Sequence, residues 1–578
     1  MTMPHLELAH LSVHTPDRTL VHDCSLLVGR GEAVGLVGES GSGKTLSVRA
    51  IAGLLPDSFT TGGVIRFDGI DLAGLRATEL RELRAKRIGM IFQTPRAHLN
   101  SLRTIGDFLI EAQVTVGKVS PERARRRAVE LLDEVGVPDP ARRLHQRPAE
   151  LSGGLLQRVM IASTLAMDPE ILLADEITTA LDVTTQEEVM AVIADLRRER
   201  HLSLLFITHD LALAGAVCDR VVVMQHGRTI ETLAAAGMRE NARETYTRQL
   251  MSAALDDAPL DDAARGVSAP ALSTLEELGA PVHPESPAQG AAERHHAPLI
   301  HVADLRKTYR VRAITGRKRE TLVAVDGVGF ELSAGGSLGI VGESGSGKST
   351  TARILCGLER ADAGTVAVDG EDWSHPARSG RARRARAKIV QMVFQDPYQS
   401  LDRRQTVRQC LAEAIRVHRP RDSRDAVDSR IRELMAAVRL DEALLDTRPR
   451  ALSGGQRQRI AIARALAADP RVLVLDEAVS ALDVTTQVEV LSLLDRIRRE
   501  TGVALLMITH DLTVIRRLCE RVVVMRAGRI EESGPAAQIL DAPRAEYTRL
   551  LLDSIPREGW VPRRRRPIHT SAIPIAHE

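Results

Sequence analysis

The sequence predicts an α/β protein made of two copies of one domain, each with a largely parallel sheet covered by helices. Short apolar runs alternate with helical patterns along the chain, which is typical of parallel strands connected by helices. Short motifs also occur twice: Lys44 and Lys348 stand in nearly identical octets 304 positions apart, and later motifs repeat 301 or 302 positions apart. Because this offset stays nearly constant, the repeat covers a whole domain.

The composition is that of a soluble globular protein. The 578 residues are enough for roughly two to four domains, and 44% are hydrophobic and 27% charged. A net charge of +2 gives no indication of nucleic-acid binding. No apolar run approaches the roughly 18 residues that span a bilayer, and the first residues do not resemble a signal peptide. Five scattered cysteines favour reduced thiols over a zinc site. We expect a protein in the cytosol or docked on a membrane from that side.

The repeat also predicts domain bounds. We expect a first domain over residues 1–255, a linker over 256–297, a second domain over 298–556 and a basic tail over 557–578. The linker segment is rich in Pro, Ala and acidic residues and has few large apolar ones, so it cannot bury a core. The arginine run at 563–566 is interpreted as a solvated tail, with contact to anionic lipid as the alternative.

The motif that organises the second copy runs from Gly342 to Ser349 and reads G-x-x-x-x-G-K-S, a phosphate-binding loop (P-loop). It follows an apolar run at 338–341 and can open a helix. Its glycines let backbone N–H groups point at phosphates, Lys348 would reach the outer phosphates and the Ser349 hydroxyl would hold Mg²⁺. A chance match has a probability of about a few per cent, and the recurrence argues against it. The predicted nucleotide-contacting residues are Gly38, Glu39, Ser40, Gly41, Ser42, Gly43, Lys44 and Thr45, then Gly342, Glu343, Ser344, Gly345, Ser346, Gly347, Lys348 and Ser349.

An acidic pair follows a buried-strand pattern in each copy. Asp175 and Glu176 come after Ile-Leu-Leu-Ala, and Asp476 and Glu477 after Val-Leu-Val-Leu. An aspartate at the carboxyl end of such a strand completes the Mg²⁺ shell in P-loop proteins, and the adjacent glutamate can activate the attacking water. The alternative is that Asp-Glu is a common surface dipeptide without a role. Because the pair comes directly after a strand in both copies, this alternative is a minor one.

Two further polar positions repeat at the ends of apolar runs. His209 and His510 follow a third strand pattern and are candidate contacts of the γ-phosphate, although a lone histidine is more often a helix cap or a core residue. Gln93 and Gln395 follow Ile-Phe and Val-Phe and are candidates for binding Mg²⁺ or the attacking water. Arg/Glu-rich patterns at 121–135 and 424–438 predict amphipathic helices.

A Leu-Ser-Gly-Gly element at 151–154 and 452–455 is absent from ordinary P-loop enzymes. Together with the motifs above and Ala-Leu-Asp at 180–182 and 481–483, it resembles the signature of the ATP-binding-cassette ATPases. The resemblance covers nearly the whole chain outside the linker and tail. It implies P-loop domains with a parallel core sheet, an antiparallel β subdomain and a helical signature subdomain.

In this family two cassettes pair head to tail, and each ATP lies between one P-loop and the partner's signature. The resemblance therefore implies ATP and Mg²⁺ as cofactors and an intramolecular pair of cassettes. One site would combine Lys44, Thr45, Gln93, Asp175, Glu176 and His209 with Ser453 and Gly455; the other would combine Lys348, Ser349, Gln395, Asp476, Glu477 and His510 with Ser152 and Gly154. Of these, Thr45, Gln93, Asp175, Ser349, Gln395 and Asp476 would hold the metal.

The departures from the family pattern are modest. The first signature continues Leu155-Leu156 where the second has Gln456-Arg457, and Thr94 replaces the aspartate kept as Asp396. Tyr309 stands where the family stacks adenine on an aromatic residue, whereas the first copy has Thr15, next to His14. The resemblance thus implies two complete sites of which the first lacks the adenine-stacking ring.

The segments after each core, Glu-Thr-Tyr-Thr at 244–247 and Ala-Glu-Tyr-Thr at 545–548, resemble the tail of the oligopeptide/dipeptide/nickel importer ATPases without its His-Pro. This implies an energy-coupling subunit on the cytoplasmic face of a bacterial inner membrane. Its partners would be two integral-membrane permease subunits and an extracytoplasmic solute-binding protein, with no nucleic acid. The alternative is a tandem cassette protein acting on ribosomes, which the Lys-poor linker disfavours. A DNA-repair cassette ATPase would need zinc-binding cysteines, which the five scattered cysteines do not supply.

Overall fold

A computed structural model describes residues 3–179, 181–255, 298–312 and 319–564. The predicted linker at 256–297 and the end of the predicted tail at 565–578 lie outside the described residues. We call the described residues up to 255 the first domain and those from 298 onward the second domain.

The first domain alternates strands and helices along most of its length. Its strands are β1 (Leu6–His14), β2 (Thr19–Val28), β3 (Ala33–Val37), β4 (Thr60–Phe67), β5 (Ile70–Asp71), β6 (Ile88–Ile91), β7 (Ile171–Asp175), β8 (Ser203–Thr208), β9 (Arg220–Gln225) and β10 (Arg228–Ala234). Its helices are α1 (Lys44–Ile51), α2 (Ala77–Arg87), α3 (Pro95–His98), α4 (Ile105–Thr115), α5 (Pro121–Glu134), α6 (Pro140–Arg143), α7 (Gly153–Thr164), α8 (Val183–Arg200), α9 (Leu211–Val217), α10 (Met238–Asn241) and α11 (Thr245–Leu255).

The second domain repeats this order. Its strands are β11 (Ile300–Arg312), β12 (Arg319–Leu332), β13 (Ser337–Val341), β14 (Ala363–Val368), β15 (Glu371–Asp372), β16 (Val390–Val393), β17 (Val472–Asp476), β18 (Ala504–Ile508), β19 (Arg521–Arg526) and β20 (Arg529–Pro535). Its helices are α12 (Lys348–Leu355), α13 (Gly380–Ile389), α14 (Val407–His418), α15 (Arg424–Ala437), α16 (Gly454–Leu466), α17 (Val484–Thr501), α18 (Leu512–Leu518), α19 (Ala536–Asp541) and α20 (Glu546–Asp553).

The two domains have the same strand order. In the first domain β2 pairs with β10 and joins the strands into one ten-stranded sheet, whereas the described residues of the second domain form separate sheets of four and six strands. The core strands run in the order β10-β9-β3-β8-β7-β6 in the first domain and β20-β19-β13-β18-β17-β16 in the second, and all but β10 and β20 pair in parallel. An antiparallel sheet joins β5-β4-β1-β2 in the first domain and β15-β14-β11-β12 in the second. The predicted fold class, a parallel core with an antiparallel β subdomain and a helical region, is confirmed.

Four strands that lead to the predicted sites are fully buried, and their sequences are apolar except for Ser337 at the start of β13 and the aspartates that end β7 and β17. Every residue of β3, β7, β13 and β17 is buried, as expected for parallel strands covered on both faces. The helices expected at 121–135 and 424–438 lie at α5 and α15, each starting at a serine (Ser120, Ser423) whose side chain accepts from a backbone N–H of the first turn. These helices stand between the glutamines and the signature elements.

The chain beyond the predicted end of the second domain packs against the first domain. We call residues 554–564 the C-terminal strap. Its Trp560 is 7% exposed and belongs to the hydrophobic core cluster that contains Met190 and Ile193 of α8. Arg564 forms an ion pair with Asp195, also on α8, at 2.8 Å. The start of the segment assigned to a basic tail is therefore held by an aromatic anchor.

Among the described residues, no helix has both the length and the apolar character that a membrane span requires.

Candidate active sites

Each P-loop curves between a buried strand and a helix, and its lysine is held by the loop's own carbonyl groups. Lys44 Nζ donates to the carbonyl oxygens of Gly38 and Glu39 at 2.7 and 2.8 Å. Lys348 makes the matching bonds to Gly342 and Glu343, both at 2.7 Å. Burial lowers the pKa of both lysines, because an ammonium group loses hydration there, although nearby carboxylates oppose the shift. The P-loop carbonyl groups therefore hold a positive charge where phosphate oxygens would bind.

The hydroxyl that follows each lysine contacts the predicted metal-binding aspartate. Thr45 Oγ1 donates to Asp175 Oδ1 at 2.9 Å, and Ser349 Oγ donates to Asp476 Oδ1 at the same distance. Burial raises the pKa of both aspartates, although the hydroxyl hydrogen bond opposes this. The hydroxyl hydrogen bond offsets only part of the cost of burying each negative charge, so the carboxylate is stabilised further by a cation. Hydroxyl and carboxylate oxygens are the hard donors that Mg²⁺ prefers, so these residues fit the ion.

The glutamate after each aspartate lies at the carboxyl end of the strand in a left-handed conformation, with φ of 47° at Glu176 and 49° at Glu477. A non-glycine residue in this region carries strain, which is found most often at functional sites. Gln93 Nε2 donates to Glu176 Oε2 at 2.6 Å, and Gln395 Nε2 donates to Glu477 Oε2 at 2.8 Å. The structure thus places each predicted glutamine against the candidate base.

Each histidine faces the same glutamate. His209 Nδ1 lies 4.0 Å from Glu176 Oε1, and His510 Nδ1 lies 3.6 Å from Glu477 Oε1. The nearby His510 imidazole lowers the pKa of Glu477 despite burial. Burial alone would raise the pKa of Glu176, but His209 and Lys44 outweigh it and the pKa is lowered. Both candidate bases are therefore ionised at neutral pH and able to accept a proton.

The two domains meet at these sites. The Asp182 side chain, at the start of α8 in the first domain, accepts from the backbone N–H of Ser344 in the second P-loop at 3.3 Å. Thr184 Oγ1 donates to Glu343 Oε1 of the same loop at 2.8 Å. The equivalent Asp483 of the second domain lies close enough to Lys44 to oppose the lowering of the lysine pKa by burial. Each P-loop is therefore approached by the segment that follows the other domain's acidic pair.

The signature residues lie at the start of a helix that packs on this crossing segment. Ser152 caps α7 by accepting from the backbone N–H of Leu155, and Ser453 caps α16 by accepting from that of Gln456. A Cβ at Gly154 would lie 2.5 Å from the Thr185 side chain of α8, so only glycine permits this approach. The first signature therefore lies beside the segment that reaches the second P-loop. Direct pairing of each signature with the opposite ATP remains a prediction.

The β bulges support the alignment of Thr15 with Tyr309. His10 and Asp304 are the left-handed bulge residues of β1 and β11, with φ of 52° and 51°, and each lies five residues before the position in question. Lys307 Nζ lies 5.2 Å from the centre of the half-buried Tyr309 ring. Thr15 Oγ1 instead donates to the carbonyl of Arg18 within a turn. Adenine stacking on Tyr309 remains a prediction.

Two kinds of site residue were missed from the sequence. Asp182 ends the first Ala-Leu-Asp motif and Thr184 stands two residues later, and the repetition of this motif at 481–483 was the available signal. Ala180 itself lies outside the described residues. Tyr246 and Tyr547 contact the P-loops through their hydroxyl groups, although they stand more than 200 positions later in the chain. No local pattern signals such a contact.

The comparisons with known proteins agree with this geometry. A family model described as "ABC transporter" matches residues 21–179 and 325–480, and one described as "Oligopeptide/dipeptide transporter, C-terminal region" matches residues 532–576. The glutathione import ATP-binding protein GsiA of Shigella dysenteriae is 38% identical over 95% of this chain and 88% of its own. The oligopeptide transport ATP-binding protein OppD of Mycobacterium tuberculosis is 37% identical over 93% of this chain and 95% of its own.

Solved structures similar to this chain match about the length of one domain. They include cbiO1 from Clostridium perfringens, with 26% identity, 42% of this chain and 91% of that chain covered, and a TM-score of 0.37. The cassette MJ0796 bound to ADP and Pi has 28% identity, covers 41% of this chain and 98% of that chain, and gives a TM-score of 0.37.

GsiA and OppD are import and transport ATP-binding proteins, which gives no support to the ribosome-associated alternative. Two matched cassettes, a matched C-terminal region and relatives aligned over nearly the full length show the family. The chain belongs to the ABC transporter family, as a fused pair of ATPase cassettes from its oligopeptide/dipeptide importer branch.

Proposed function

We propose that the chain is the ATP-hydrolysing subunit of a bacterial importer for short peptides or glutathione-like solutes. The observation that carries this proposal is the same pair of contacts in both cassettes, P-loop hydroxyl to aspartate and glutamine to glutamate, followed by a C-terminal region of the oligopeptide/dipeptide type. The names of the relatives, which refer to glutathione and oligopeptides, support this solute class.

The chain's own groups divide the work of hydrolysis. In the first cassette Lys44 neutralises charge on the outer phosphates. Glu176 accepts a proton from the attacking water as the water oxygen bonds to the γ-phosphorus, while the bond from that phosphorus to the β–γ bridging oxygen breaks and ADP leaves. Gln93 and His209 hold Glu176 on the side facing the phosphates. Thr45 and Asp175 would hold Mg²⁺, which when bound would neutralise negative charge on the phosphate groups. Lys348, Glu477 and their neighbours act in the same way in the second cassette.

The partners of this subunit are two integral-membrane permeases and an extracytoplasmic solute-binding protein. Two cassettes in one chain would drive two permeases from the cytoplasmic face of the bacterial inner membrane, so the chain would be peripheral to the membrane. The import function in the names of its relatives supports this arrangement.

Purification of the tagged chain with the permease and binding-protein genes of its own operon tests the proposal. We expect the permeases to co-purify, and reconstituted vesicles to take up glutathione or an oligopeptide only when ATP is supplied on the cassette side. A Glu176→Gln, Glu477→Gln variant is the control, because it keeps the assembly but removes both bases. Co-purification with ribosomes and without permeases would contradict the proposal.

A further inference from the structure

One peptide unit of each P-loop is held from both sides. The carbonyl of Gly38 accepts from Lys44 Nζ at 2.7 Å, and the N–H of the same peptide, on Glu39, donates to the Tyr246 hydroxyl at 3.2 Å. A peptide unit is planar, and its trans N–H and C=O point in opposite directions. The tyrosine hydroxyl therefore fixes the orientation of the carbonyl that holds the lysine.

The second cassette repeats this arrangement. Lys348 Nζ donates to the Gly342 carbonyl at 2.7 Å, and the Glu343 N–H donates to the Tyr547 hydroxyl at 3.1 Å. Gly342 has a φ of 149°, and a Cβ there would lie 2.0 Å from the Met525 carbonyl oxygen, so the backbone at this peptide has little freedom. The pair Tyr246 and Tyr547 is 301 positions apart, as are the acidic pairs.

Burial keeps both tyrosines neutral at physiological pH. It raises the pKa of Tyr246 to about 12 and also raises that of Tyr547, because a phenolate loses hydration there. The hydroxyl oxygen accepts from the P-loop N–H, and the ring is held by the helix that carries it. Tyr547 is 3% exposed and belongs to the core cluster of the second cassette.

Each tyrosine lies near the start of a helix whose far end contacts the other cassette. The carbonyl of Ala253, in α11, accepts from Arg517 Nη2 of the second cassette at 2.8 Å. Ser554, directly after α20, donates through its hydroxyl to Glu187 Oε2 of the first cassette at 2.8 Å. These short helices therefore connect each P-loop to the opposite cassette.

We propose that Tyr246 and Tyr547 are positioning residues that hold the P-loop lysine in place for nucleotide binding. Their helices couple the position of the lysine to contact between the cassettes. The proposal rests on the ATPase activity and is independent of the transported solute. Tyr547 falls within the matched C-terminal region, at residues 532–576, so the proposal also gives that region a role in ATP binding.

Removing one hydroxyl in the full-length chain tests this. In a Lys44→Ala background the second P-loop binds nucleotide, and Tyr547→Phe is titrated with Mg-ADP, which cannot be hydrolysed further at this site. Without the acceptor, the peptide turns its N–H towards water in part of the molecules and the lysine loses a carbonyl. We expect the Kd for Mg-ADP to rise about tenfold. In the chain with both P-loops intact, Tyr547→Phe should raise the KM for ATP more than it lowers kcat.

Thr548→Val is the matched control because it removes one buried hydroxyl from the same helix, where its neighbour is Glu532 and not the P-loop. We expect this control to bind Mg-ADP within about twofold of its parent. Unchanged affinity in Tyr547→Phe would overturn the proposal, and so would an equal loss in Thr548→Val, which would assign the effect to helix packing. If Tyr547→Phe does not fold, Tyr246→Phe in a Lys348→Ala background tests the same bond at the first site.

Discussion

The C-terminal strap packs on the first cassette through the Trp560 ring, beside the polar contacts of Ser554 and Arg564, and Trp560→Ala tests the contribution of the ring. Trp560 is 7% exposed, and its Nε1 donates to the carbonyl of Asp553 at 3.0 Å. Because the strap follows the helix that carries Tyr547, its release would also loosen the end of that helix. The free energy lost on Trp560→Ala therefore measures how strongly the strap binds to the first cassette.

The size of the effect follows from the buried ring. A tryptophan side chain buries about 150–250 Å², which at about 25 cal/mol per Å² corresponds to roughly 4–6 kcal/mol before the cost of ordering the strap. Replacement of a buried tryptophan by alanine typically costs about 3–5 kcal/mol. A loss of about 3 kcal/mol from the docking free energy makes the undocked strap about a hundredfold more populated.

Tryptic cleavage after Arg557, within the strap, reports this population. We expect Trp560→Ala to be cleaved there at least about thirtyfold faster than the native chain, since cleavage follows the open fraction. Val561→Ala is the matched control, because its side chain is 69% exposed and next to the anchor. Equal cleavage rates in Trp560→Ala and Val561→Ala would refute the anchoring role.

Three further predictions concern the ATP sites. Changing both Glu176 and Glu477 to glutamine should lower single-turnover hydrolysis by about 10²–10⁴-fold and leave ATP bound between closed cassettes, whereas normal hydrolysis would show that neither is the base. Thr15→Tyr should tighten ATP binding at the first site by up to roughly 1–3 kcal/mol, the scale of base stacking, and reduce the difference from the Tyr309 site; titration of one-site variants measures this, and no gain would contradict the asymmetry. Burial lowers the pKa of His510, but Glu477 and neighbouring acidic groups outweigh burial and raise this pKa above its ordinary 6.5, while His510 lowers the pKa of Glu477 below 4.5. Their pairing should stabilise the fold fully between about pH 4.5 and 6.5, and lose strength at higher pH as His510 deprotonates and at lower pH as Glu477 is protonated. The Tm difference between native chain and His510→Gln should shrink above neutral pH; a difference independent of pH would rule this out.

Features set by local sequence were predictable. The strand before Asp175 is continuously apolar and lies where expected, at β7, and Ser120 with Pro121 marks the start of α5 within one residue. The P-loop, the acidic pair and the histidine converge because parallel strands place their carboxyl ends at one edge of the sheet. The repeat supported each of these assignments, because every motif occurs in both copies.

Contacts between distant segments were not predictable from the sequence. The Tyr547 hydroxyl bonds to Glu343, 204 positions earlier, and no periodicity encodes such a pair. Trp560 stands in a polar, Arg-rich stretch that indicates a solvated tail, yet its large ring packs in the hydrophobic core cluster of the first domain. Sequence patterns report which face of an element is buried, but not which distant element covers it.

The requirement for both P-loops is the central claim, and Mg²⁺-dependent ATP hydrolysis by the purified chain tests it most directly. Lys44→Ala and Lys348→Ala each remove the buried ammonium group that lies against developing phosphate charge, so either change alone should lower kcat by orders of magnitude. The double variant should show no ATPase activity above the background without enzyme, while its Tm stays close to that of the native chain. Unaltered hydrolysis by the double variant would contradict the account.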